Sequence, residues 1–498
     1  MELERCVKEK PKGQPFFIQY NTWMSHEDKI HSRKNLDEYY QKTLEAFGYS
    51  DSGNQPFVLK EFEPGSVPHP PYHPDIIEVD EDWANYYNCI ERMDAEVGMI
   101  MAQLEEDSLL ENTIIFYFSD HGGVVARSKR FIYETGLKVP FIIRFPHKFQ
   151  YLADDKPGSR TDRIISFVDL PPTLLNILGI EIPEYMQGEP FLGIGSEKAR
   201  EFAFGFRGRM DEVYDFSVTV RDKKFRYIKN YMNNRIYGQH IEFLWKAKLP
   251  AAWQKAYKEG KCNELQSAFW QTKPIEELYE ISNDPYNTIN LAENPGYKED
   301  LVRMQKACDN WLIETKDKSF IPEGEMIARS KGTTPYHFVN SPDFPFDVVK
   351  ETAEMALQAV PINLPELMVR LKHKENTIRY WAAIGCSLLK EKASPAKVDL
   401  LKLLDDSSPD VAIAAAEALY YLNEKQSAIE KLQAVIESKP EEGMDEIMFY
   451  QQLHALNVMA QFDDLVCKDL LFLKEYSENA DIPDLNRKIV RHLLICKN

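Results

Sequence analysis

From about Asp80 to Glu106 the apolar residues Trp83, Tyr86, Tyr87, Ile90, Met93, Val97, Ile100, Met101 and Leu104 recur at helical spacing. That periodicity predicts one long amphipathic helix. Three shorter apolar runs lack it. Pro15 to Tyr20 (PFFIQY), Thr113 to Phe118 (TIIFYF) and Val139 to Arg144 (VPFIIR) are continuous, aromatic or β-branched, and bounded by polar residues. Each reads as a buried strand, and the second as a central parallel one. Residues 35–75, rich in Pro, Gly, His and Tyr, read as loop. After Ser166-Phe-Val-Asp-Leu-Pro-Pro-Thr a helix opens, with Asp169 as N-cap and prolines in its first turn. The repeated strand–loop–helix order predicts an α/β sheet with right-handed crossovers.

The pattern changes near residue 201. VYDFSVTVRDKKFRYIKNY alternates and turns at Arg221-Asp-Lys-Lys, which predicts an antiparallel hairpin in a small α+β subdomain over 201–320. Residues 321–346 are Pro-rich and aperiodic and read as a linker. Beyond them the chain is helical. Ser394-Pro and Ser408-Pro each open a helix, and the Ala-rich run from Ala412 to Ala418 allows close helix approach. Paired helices of this kind stack into an α-solenoid, and residues 347–498 resemble HEAT repeats.

Composition narrows the class. The 498 residues exceed one ordinary core, and 44% hydrophobic with 28% charged residues describes a globular chain. A net charge of −19 argues against a nucleic-acid partner, which needs a basic face to displace counterions. Seven cysteines are scattered without a C-x-x-C pair, so neither a disulfide framework nor a zinc site is indicated. No stretch is apolar enough to span a membrane, and the first residues show no signal-peptide pattern.

Ligands in open parallel sheets bind beyond the carboxyl ends of strands. TIIFYF runs into Ser119-Asp120-His121-Gly122-Gly123, a carboxylate and an imidazole among glycines that suit a hard cation. Lys129, eight residues after His121, brings a positive charge for an anionic leaving group. By itself the Asp-His-Gly segment fits a capped turn better than a metal site.

The surrounding residues change that weighting. Met93-Asp94 with Val97-Gly98, Asn112-Thr113, Ser119-Asp-His-Gly, Lys129, Tyr133-Glu134 and Val139-Pro140 follow one another in order. DRIISFVDLPPTLLNILGI at 162–180, MQGEPFLG at 186–193 and EELYEISNDPYNTINLAENP at 276–295 continue the series. Over roughly residues 10–320 this resembles the sulfatases of the alkaline-phosphatase superfamily, and in its second half the heparan N-sulfatase-like group. The resemblance implies an incomplete alkaline-phosphatase-like sheet between helices over 1–200. It implies hydrolysis of a sulfate ester or sulfamate on a sulfated carbohydrate. It makes Asp120 and His121 ligands of a divalent cation, usually calcium, and sets Lys129 on the sulfate. His26 then protonates the leaving group or binds sulfate. Arg207, Arg209, Asp211, Glu212 and His240 line the substrate pocket by the same analogy, although for each singly a solvated turn with ion pairs fits equally well.

The family's nucleophile is a formylglycine made from Cys or Ser in a C/S-x-P/A-x-R motif, and none of the seven cysteines here is followed by that pattern. The expectation is an N-terminally truncated sulfatase that releases no sulfate alone, whose full-length form is exported. A phosphodiesterase or phosphonate hydrolase of the same superfamily fits the same residues. So does a catalytically silent module that binds proteins or self-associates through its helical repeats.

Overall fold

The computed structural model describes residues 14–49, 57–153, 156–193, 195–196, 198–439, 442–478 and 482–496. An N-terminal layer contains helices α1 (Glu27–Ile30), α2 (Arg33–Ala46) and α3 (Ile77–Glu106). Helix α3 is the predicted amphipathic helix, and its inner face buries Val79, Ala84, Cys89, Ala95, Met99 and Leu104. It also buries Arg92, which is satisfied by Asp37 at 3.0 Å and Glu61 at 2.7 Å. A buried charge left unpaired would cost several kcal/mol, on the order of 3–5.

Residues 15–20 belong to no strand among the described residues, and Phe17 is 75% exposed. An apolar run becomes a strand only where another strand meets it, and none among the described residues does.

Strand β1 (Ile115–Phe118) is followed by the short helix α4 (Glu134–Leu137) and strand β2 (Phe141–Arg144). The two strands pair antiparallel, Ile115 opposite Arg144 and Phe118 opposite Phe141, so the expectation of a parallel central strand is corrected here. A parallel return needs a crossover helix lying along the sheet. The connection instead folds onto itself, Gly122 N–H donating to Gly136 O at 2.8 Å and Gly123 N–H to Thr135 O at 3.1 Å. That closure hands the chain back in the opposite direction. A Cβ at Gly122 would stand 2.0 Å from Thr135 O, so only glycine permits this approach.

Helix α5 (Leu170–Ile177) follows a Ser166/Asp169 capping box, and the Asp169 carboxylate also accepts from Glu189 N at 2.9 Å. Strands β3 (Ala203–Arg207), β4 (Ser217–Arg221), β5 (Phe225–Asn230) and β6 (Glu276–Glu280) then form an antiparallel sheet in that order. The hairpin predicted at Arg221-Asp-Lys-Lys is present, and Asp222 Oδ1 accepts from Lys224 N at 2.7 Å and Phe225 N at 2.6 Å. Helices α6 (Lys248–Lys258) and α7 (Glu264–Ser267) precede β6, and α8 (Lys298–Thr315) follows it.

Residues 321–346, read from sequence as a linker, hold helices α9 (Glu323–Arg329) and α10 (Pro335–Val339) with Ile321 and Phe344 buried. The remaining helices are α11 (Phe346–Leu357), α12 (Leu364–Arg370), α13 (Asn376–Leu389), α14 (Lys397–Leu403) and α15 (Pro409–Tyr421). They continue with α16 (Lys425–Ile436), α17 (Asp445–Ala460), α18 (Leu471–Glu478) and α19 (Asp484–Cys496). One hydrophobic core joins this helical region to the sheet. Phe216, Tyr231, Phe320 and Trp381 meet in it, and Trp381 Nε1 donates to Phe320 O at 2.8 Å.

Candidate active site

Helix α1 begins at His26, whose Nδ1 lies 2.7 Å from Asp28 Oδ1 and whose ring meets the edge of Trp23. The next residue, Glu27, is fully buried. Its carboxylate receives Arg130 Nη1 at 2.9 Å on both oxygens, and Lys129 Nζ lies 3.4 Å from Oε2. Arg130, at φ 75°, sends Nε to Asp211 at 2.8 Å. Burial alone would lower the Arg130 pKa, but Glu27 and Asp211 outweigh it and hold the guanidinium firmly protonated. A chain of alternating charges, Lys129–Glu27–Arg130–Asp211, therefore ties α1, the 127–130 segment and the loop after β3 together.

Asp211 sits at the tip of a tight turn closed by Met210 N to Val213 O at 2.8 Å and Val213 N to Met210 O at 3.1 Å, with φ 52°. Such a left-handed position suits Asp better than most residues. The helical region grips this turn. Asn457 of α17 accepts from Tyr214 N at 3.0 Å and donates to Glu212 O at 2.9 Å, while Arg209 forks onto Glu323 of α9. Glu212 is buried, accepts from Glu242 N at 2.6 Å, and has its carboxyl pKa pushed up by burial. His240 stacks on His492 of α19 with ring centroids 4.1 Å apart, and burial lowers its pKa to about 4.

Arg207 stands apart from this group. It is only 2% exposed, with its guanidinium 4.3 Å over the Phe131 ring and 3.4 Å from Asp215. Lys273 pairs with Asp215 in the same pocket, and burial lowers the Lys273 pKa to about 8. Glu277 there receives the Tyr133, Tyr237 and Tyr279 hydroxyls. The arrangement is a buried polar cluster.

Asp120 lies after β1 with its side chain 85% exposed, its Oδ1 accepting from His121 N at 3.0 Å and standing 3.7 Å from His121 Nε2. His121 Nδ1 lies 2.8 Å from Gly122 O. Among the described residues no group of three or more His, Cys, Asp or Glu side chains is placed to hold a metal ion. A calcium ion takes about 6–8 oxygen donors. Asp120 and His121 offer too few, so the residues present do not by themselves fit the divalent cation that the family implies.

Lys129, His26 and Asp211, all singled out from sequence, thus fall in or beside one charge network. Glu27 and Arg130 complete it and were missed. Each is a sequence neighbour of a chosen residue, but nothing in the chain announces a pairing across 103 positions.

The matched sequence shows which family this geometry resembles. Residues 2–180 match the family described as Sulfatase, and residues 125–272 match N-sulphoglucosamine sulphohydrolase, C-terminal. Residues 2–272 are thus similar to sulfatases. An ulvan-active sulfatase of Formosa agariphila is 37% identical over 332 residues, which are 63% of this chain and 54% of that protein. Human N-sulphoglucosamine sulphohydrolase is 22% identical over 340 residues, 63% of this chain and 64% of its own. A solved putative sulfatase from Bacteroides thetaiotaomicron overlays on 62% of this chain and 68% of its own at 17% identity, with a TM-score of 0.37. The chain spans about half the length of the first curated relatives it matches, 54% and 43% of two ulvan-active sulfatases. No helix among the described residues is long and apolar enough to cross a membrane.

Proposed function

We propose that this chain carries the sulfate-recognition half of a hydrolase that removes sulfate, as ester or sulfamate, from a sulfated glycan. The observation that carries the reading is the Lys129–Glu27–Arg130–Asp211 network lying inside the segments that match the two sulfatase families. Breaking a sulfate ester places growing negative charge on the bridging oxygen. An ammonium held nearby stabilises that charge, and an imidazole can protonate the leaving group. Lys129 is the ammonium in this reading. Glu27 fixes its place without consuming it, because the carboxylate is already shared with Arg130. His26, one residue from Glu27 and about one third exposed, is the proton donor. Arg209, Asp211 and His240 form the rim, with the fully buried Glu212 behind it, held by helices α9, α17 and α19.

Calorimetric titration of the purified chain with a sulfated disaccharide from ulvan tests this. Lys129→Ala is expected to weaken binding about tenfold, a loss of about 1.4 kcal/mol. Equal binding by Lys129→Ala and the unaltered chain would overturn the assignment of Lys129.

A further inference from the structure

Beside α4 lies a cavity of about 380 Å³ that the charge network does not use. Its walls include Glu134, Lys138, Arg221, Lys223, Ser282 and Pro285. The volume lies at the lower end of ordinary ligand sites, about 300–1,000 Å³, and suits one sugar ring. Three of these side chains are cationic and one is anionic, a balance of +2 in a chain whose net charge is −19.

The single carboxylate is already spent. Glu134 receives Arg226 Nε at 2.9 Å and Arg221 Nε at 3.2 Å. Burial would raise its pKa, but the two guanidinium groups outweigh that and hold the carboxyl below its usual range. Lys223 is paired only with the exposed Asp162, at 2.7 Å. A pair of that kind contributes about 0–1 kcal/mol and yields readily to a competing anion. Lys138 has no ion-pair partner among the described residues. The Ser282 hydroxyl adds a neutral donor, and Pro285 with Ile281 gives an apolar surface for the carbon face of a pyranose.

We propose that this cavity is an accessory subsite that binds a second anionic sugar residue of the same sulfated glycan, with Lys138 and Lys223 as its recognition groups. The proposal rests on the reading of the substrate as a sulfated glycan. Its geometry comes from α4: the carbonyls of Thr135 and Gly136 hold the 119–123 turn, while Glu134, Thr135 and the following Lys138 face the cavity. One short segment therefore contacts both the 119–123 turn and the cationic cavity, and an oligosaccharide longer than a disaccharide is the ligand expected to profit from the second site.

The test uses sulfated di-, tetra- and hexasaccharides prepared from ulvan and titrated into the whole chain by calorimetry at two salt concentrations. Lys138→Gln/Lys223→Gln is expected to cut the hexasaccharide's advantage over the disaccharide about tenfold. It should also lower the salt dependence of hexasaccharide binding, and Lys138→Arg should restore part of both. Thermal midpoints within the error of the unaltered chain certify that the variants are folded. An undiminished length preference in the double variant would overturn the subsite and leave the Lys129 reading intact. The opposite pattern, loss in the double variant but none in Lys129→Ala, would uphold the cavity as an anionic-saccharide site and sink the Lys129 assignment. A wild-type chain that binds no oligosaccharide of any length overturns both.

Discussion

At the scale of single residues, the site is governed by which charges are shared and which are left with one partner. Glu27 serves two cations and Arg130 serves two carboxylates, so removing either disturbs the whole chain of contacts. His240 behaves differently, because burial against Trp245 and His492 keeps it neutral, with only Glu242 drawing a proton toward it. Its pKa is about 4 when folded against an ordinary 6.5. As pH falls below 6.5 the unfolded chain takes up a proton that the folded one refuses, so stability is lost downward and levels off near pH 4. Urea unfolding at pH 7 and pH 5 should differ by about 2 kcal/mol from this group, and His240→Gln should remove that share. Lys129 and His26 were singled out by their place in the family motif and Asp211 by its region, and the structure brings the three into or beside one network. Arg207 lies apart from the other chosen residues for a plain reason. It ends a strand whose side chains alternate between faces, and its turn of the alternation faces the Asp215–Lys273 pocket rather than the rim.

Among elements, legibility followed periodicity. The β4–β5 hairpin was readable because alternation and turn residues agree, and Asp222 ties the turn with two backbone bonds. Strands β1 and β2 were recognisable as strands, but a wholly apolar run says nothing of direction. The segment 321–346 looked like a linker since proline and glycine interrupt its pattern, yet Ile321, Val339 and Phe344 anchor it from within. Nothing in the sequence of α17 shows that Asn457 reaches the 210–213 turn. Its amide satisfies Tyr214 N, Glu212 O and Leu453 O at 3.0, 2.9 and 2.7 Å. Replacing it by alanine orphans backbone groups at the turn, and Asn457→Ala should cost about 2–3 kcal/mol. Chemical denaturation measures the loss. An effect below about 0.5 kcal/mol would show that the turn is held without α17.

For the whole molecule, the helical region and the antiparallel sheet are one folding unit. Phe216 stacks on Tyr231 at 4.5 Å, both touch Phe320 and Trp381, and Arg235 of the sheet side forks onto Glu417 of α15 at 2.7 and 2.8 Å. Scanning calorimetry of the chain should therefore show the sheet and helices melting in one transition. A piece ending at residue 346 should show no cooperative transition at all, because it strips Trp381 and its neighbours from the core. Two separate transitions in the whole chain would mean that the helices fold as an independent module.

Strands β1 and β2 form a two-stranded sheet, so among the described residues each has an outer edge with no neighbouring strand, and Ile142 of β2 is 60% exposed. An unpaired apolar edge is a template for adding further strands from other copies. What holds such copies apart in this chain is mutual repulsion from a net charge of −19. Colloidal behaviour is thereby set by acidity and salt. Neutralising carboxylates or screening them is expected to lower that barrier and to promote association along this edge.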